Sequence, residues 1–77
     1  MIPQLSKRQK QVLIHITNGG SNKEFANLHK LSEKTVEAHR YELYNTLNIH
    51  SMVLLTHYAL TNKYITLKTN KDLGFIT

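Results

Sequence analysis

Seventy-seven residues without a cysteine make one domain, and a chain this small buries only about 60% of its unfolded surface, so helix packing or a partner subunit has to supply what disulfides do not. Ten Lys and Arg against five acids give a net charge of +5 and a pI near 9.7, which tilts the chain toward a polyanionic partner. No run approaches the ~18 apolar residues of a membrane span, and MIPQLSKRQK holds no signal-peptide core, so no membrane partner and a cytoplasmic location are expected.

Ser6 and Gln9 have the spacing of a capping box, and the stretch KRQKQVLIHITN that follows carries Val12, Leu13 and Ile16 on one face. This first helix ends at Gly19-Gly20, where glycine takes a left-handed cap. Ser21 and Glu24 repeat the capping-box spacing, and Phe25, Ala26 and Leu28 are the expected apolar contacts of a short second helix. Lys30-Leu31 must then be a turn, because Ser32 is the next N-cap. The third helix runs from Glu33, with Val36, Leu43 and Leu47 on one side and Lys34, Glu37, Ala38, Tyr41 and Asn45 on another. It therefore has a core side and a free side.

After a break at 48–50, Ser51 caps MVLLTHYALTN, in which Met52, Val53, Leu54, Leu55, Tyr58, Ala59 and Leu60 are apolar nearly all the way round. A helix of that kind is buried on more than one side. The rest of so small a domain covers one face, which leaves another for a second chain. From Thr66 the pattern dissolves; YITLK alternates like a short strand, but a loosely docked tail is the better expectation. The fold class is all-α, with residues 1–4 a short leader, 5–65 the domain and 66–77 a C-terminal tail.

A short helix, a tight turn and a longer helix with one free face describe the helix-turn-helix unit, whose second helix enters the DNA major groove. Spacing alone makes that a weak assignment. The segments LSKRQKQVL, NGGSNKEFA, LSEKTVEAHR and LYNTLNIHS, in this order, resemble the LuxR-type (NarL/FixJ-type) DNA-binding domain over residues 5 to about 65. The resemblance implies a four-helix LuxR-type domain, a sequence-specific transcriptional regulator binding double-stranded DNA as a homodimer, and no cofactor or metal. It assigns base contacts to Lys34, Glu37, Ala38 and Tyr41. Phosphate contacts fall to Ser21, Asn22, Lys23, Thr35, His39, Arg40 and Tyr44, and the dimer interface to Val53, Leu54, Thr56, His57 and Leu60 on the fourth helix. With no receiver or ligand-binding domain in view, the chain reads as either a stand-alone member or an excised domain, and the sequence does not separate the two.

Departures from the family pattern are expected to weaken DNA binding. His15 and His29 occupy commonly apolar positions, and each is read as a partly buried histidine with one hydrogen bond. Met52 stands where many members carry arginine, Thr46 replaces a frequent lysine, Tyr41 a frequent polar residue, and Glu37 and Glu42 add negative charge near the DNA face. This keeps an alternative open: a small protein-binding module that pairs with another LuxR-type regulator and modulates it. Enzymatic chemistry is not expected. The histidines at 15, 29, 39, 50 and 57 never form the i, i+4 pair of a helical zinc site, no glycine-rich phosphate loop is present, and no serine has the surroundings of an activated nucleophile.

Overall fold

A computed structural model describes residues 4–66 as four helices: α1 (Lys7–Thr17), α2 (Asn22–His29), α3 (Glu33–Leu47) and α4 (Met52–Thr61). All four begin the same way. Ser6, Ser21, Ser32 and Ser51 are extended residues whose hydroxyls accept a backbone N–H from the third helical residue. That satisfies one of the donors a helix start leaves unpaired. In α1 and α2 the box is reciprocal: Gln9 Oε1 and Glu24 Oε1 each accept the N–H of their serine at 2.8 Å.

The helix ends share a second device. Past each last turn one residue takes positive φ, namely Gly19, Lys30, Asn48 and Lys63. The next N–H then folds back on a carbonyl five residues earlier: Gly20 on His15, Leu31 on Ala26, Ile49 on Tyr44 and Tyr64 on Ala59. These closures cap carbonyls that the helix would leave bare. Gly19 takes this conformation freely, whereas at Lys30 and Lys63 a side chain pays a steric cost.

Leu5, Val12, Leu13, Ile16, Phe25, Ala26, Val36, Leu43, Leu55 and Ala59 form one buried cluster, flanked by Leu31, Tyr44, Leu47, Ile49, Tyr58, Tyr64 and Ile65. α1 packs against all three other helices and α2 against α3, while α4 leans on α1. The core therefore sits around α1, and α4 offers it only the Leu55, Tyr58 and Ala59 side.

Two sequence expectations fail, both on α2. Leu28 is 72% exposed and gives α2 no core contact. An eight-residue helix reaches the core through Phe25 and Ala26, and the position one turn beyond Phe25 is taken by His29, stacked on the Phe25 ring at 4.1 Å. His29 thus meets a ring face where a hydrogen bond was expected. His15 has the expected bond, its Nε2 donating to the Ser21 carbonyl at 2.8 Å. Of YITLK, residues 64–66 form no strand; the remainder of that stretch, the rest of the tail with Lys68 and Lys71, and leader residues 1–3 lie outside the described residues.

Candidate nucleic-acid interface

α2 and α3 are joined by Lys30, Leu31 and Ser32. Leu31 is partly buried against the core, Lys30 supplies the left-handed bend and Ser32 restarts the helix at once. α3 is anchored by Val36 and Leu43, and its fifteen residues span about 22 Å at 1.5 Å per residue, longer than the roughly 12 Å width of a major groove. Opposite the anchors, Lys34, Glu37, Ala38 and Tyr41 are all exposed, together with Asn45. Tyr41 is 65% exposed, an aromatic ring held in solvent rather than packed.

Arg40 links the two helices. Its Nη1 donates to Asn22 Oδ1 at 2.6 Å, and its Nε and Nη2 donate to the Tyr44 hydroxyl at 3.0 and 2.8 Å. These bonds use three of the five guanidinium N–H groups, and two remain for an anion. The first residue of α2 is thereby tied to the middle of α3, and Asn22, Glu37, Arg40, Tyr41 and Tyr44 line one shallow depression. Sequence reading places Asn22, Arg40 and Tyr44 among phosphate contacts individually; their mutual bonding, across eighteen residues, is a feature that helical periodicity does not carry.

The start of α2 directs further donors to the same side. Ser21 and Glu24 satisfy each other, which leaves the N–H groups of Asn22 and Lys23 at the positive end of the helix. The Ser21 N–H and hydroxyl bonds hold the Glu24 carboxyl below its ordinary 4.5. Lys23 is exposed, and Thr35 is exposed with its hydroxyl 2.9 Å from that of Ser32. His39 is half-buried. Thr46 makes a contact not visible in sequence, accepting from Gln9 Nε2 at 3.0 Å and pinning α1 to the end of α3.

On α4, Val53, Thr56, His57 and Leu60 line an apolar groove together with Met52. Val53 is 65% exposed, and Leu54, also exposed, lies outside that lining. No group of His, Asp or Glu among the described residues is arranged to hold a metal ion, and no described helix is long and apolar enough to cross a membrane.

Residues 3–59 match the family described as bacterial regulatory proteins, luxR family. The chain belongs to the LuxR family. Its four helices make a LuxR-type helix-turn-helix domain, of the DNA-binding class found in transcription regulators. Among curated LuxR-family relatives, it is 41% identical over 61 residues to the Fimbriae Z protein of Salmonella typhimurium, covering 79% of this chain and 29% of that one. It is 43% identical over 56 residues to the response regulator UvrY of Escherichia coli K12, covering 73% and 26%. With the response regulatory protein YgeK of the same strain it shares 44% over 57 residues, covering 74% and 39%. The chain thus spans between about a quarter and two fifths of the length of these relatives. No solved structure matches it.

Proposed function

We propose that this LuxR-type domain reads a DNA sequence as a homodimer, with α3 in the major groove and α4 as the two-fold contact. The observation that carries the reading is the free face of α3: Lys34, Glu37, Ala38 and Tyr41 are all exposed on a helix whose opposite side is locked by Val36 and Leu43. Base specificity falls to those four residues. Register on the duplex falls to Ser21, Asn22, Lys23, Thr35, His39, Arg40 and Tyr44; Ser21, bonded to Glu24, acts by capping the helix start, and the N–H groups of Asn22 and Lys23 with the side-chain donors of the others suit phosphate oxygens. The exposed Met52, Val53 and Leu54 support α4 as the pairing helix, and two-fold pairing sets the reading helices about 34 Å apart. The names of UvrY and YgeK, as response regulators, support transcriptional regulation, and the basic, cysteine-free chain suits the cytoplasm.

A second reading rests on the same apolar α4 and on the mixed charge of α3, where Glu37 and Glu42 offset Lys34 and Arg40. In it the domain pairs through α4 with another regulator of its family and modulates that protein's DNA binding. Selection of sites from a random duplex pool at about 0.1 M salt separates the two, since non-specific phosphate binding is partly screened there. Enrichment of an inverted repeat is the expected result. A folded sample that enriches nothing refutes the first reading.

A further inference from the structure

The first turn of α1 concentrates positive charge at the end of a helix that already carries a positive dipole. Lys7, Arg8 and Lys10 stand there with no acidic residue in the turn, an arrangement that repels itself until an anion joins it. Arg8 is half-buried, its guanidinium 5.9 Å from the Phe25 ring centre. Its Nη1 is shut off from solvent and meets no hydrogen-bond partner among the described residues. Buried donors ordinarily find an acceptor, and a charged one most of all. Beside it Lys7, Arg8, Gln11 and His29 line an open cleft where α1 passes the end of α2. His29 is the last residue of α2.

We infer that this cleft is a docking site for a carboxylate side chain of an acidic partner protein. Arg8 carries the guanidinium that carboxylates pair with, its shut-off Nη1 turning outward as the anion enters, with Lys7 at the exposed rim and the Gln11 amide as a further donor. Helix geometry argues for protein over DNA. Gln9 is the α1 residue that bonds to α3, and at 100° per residue Lys7 and Gln11 point about 160° away from it. The cleft therefore opens on the flank of α1 turned from α3 and its exposed face. It does not require that α3 read DNA.

The test is an NMR titration of the isotope-labelled 77-residue chain with a capped penta-glutamate peptide near pH 7 and 0.1 M salt, repeated with a random-sequence duplex added. Saturable shifts centred on Lys7, Arg8, Gln11 and His29, undisturbed by the duplex, are expected. Arg8→Met, which keeps an aliphatic stem against Phe25, and Lys7→Gln, at the solvent-facing rim, are each expected to weaken the peptide at least fivefold. Lys7→Gln decides the matter if Arg8→Met does not fold. Shifts spread over all lysines or centred on α3, an unchanged affinity in both variants, or displacement of the peptide by the duplex would overturn the inference; the last would make the cleft a phosphate contact.

Discussion

Gly20 and His15 should be energetically coupled, and the coupling can be measured. The Gly20 backbone lies outside the left-handed region, yet a Cβ there would land in the His15 ring, with Cδ2 at 2.6 Å and Nε2 and Cε1 closer still. Gly20→Ala must therefore swing the ring away. That breaks its 2.8 Å bond to the Ser21 carbonyl, worth about 1 kcal/mol net, and its edge-on contact with Phe25 at 5.2 Å, worth about 0.5–1.5 kcal/mol. Against these losses, alanine restricts the unfolded chain and returns about 0.4–1 kcal/mol. The net cost is about 1–1.5 kcal/mol, a fall in Tm of roughly 5–10 °C for a domain of this size. With His15→Ala in place the obstruction is gone, and Gly20→Ala should stabilise by about 0.4–1 kcal/mol. Urea and thermal melts of the four proteins, followed by circular dichroism, give the cycle, with an expected coupling near 2 kcal/mol. An equal cost of Gly20→Ala in both backgrounds would refute the argument.

Three further outcomes follow from the caps and the free face. Lys30 pays for its left-handed conformation, so Lys30→Gly should raise stability by about 1 kcal/mol in denaturant melts; no gain would mean that the lysine stem contributes packing. Because the Ser21 bonds lower the Glu24 carboxyl below 4.5, its contribution is complete above that pH and is lost as pH falls through the lower folded value. Glu24→Gln keeps the box, as Gln9 does in α1, and should flatten the stability profile between pH 5 and 2, read by melts at each pH; an unchanged profile would exclude Glu24 as a contributor. In DNA binding, Tyr41→Ala should change sequence preference, whereas Lys23→Ala should weaken all sequences alike and reduce the log-log salt slope by about 0.9. Equal losses on specific and non-specific DNA in both variants would contradict that division.

Helix beginnings were legible because serine hydroxyls act within three residues, and Ser6, Ser21, Ser32 and Ser51 all cap as their spacing suggests. Endings at Lys30 and Asn48 were legible from the serine that follows each, but the left-handed geometry of an ending was legible only where glycine marks it. Gly19 announces its bend, but Lys30 and Lys63 adopt the same conformation because the following Leu31 and Tyr64 pack on the core, a tertiary demand that overrides local preference. Leu28 misled because an apolar residue three positions from Phe25 looks like its neighbour, while the core has room for Phe25 and Ala26 alone. The free face of α3 could be read from its period; the Arg40 bonds to Asn22 and Tyr44 and the Gln9 bond to Thr46 could not, since they join side chains brought together only by the folded chain.

The Arg40 tie also changes when an entropic cost falls due. A free surface arginine surrenders its rotamers at the moment it grips an anion, at roughly 0.5–1.5 kcal/mol for an immobilised long side chain. Held by Asn22 and Tyr44, Arg40 has already surrendered much of that freedom during folding, so an anion arriving at its two remaining donors finds them aimed. The unbound domain stands slightly nearer to instability for it, and loosening the tie at Asn22 would shift that cost back onto each encounter.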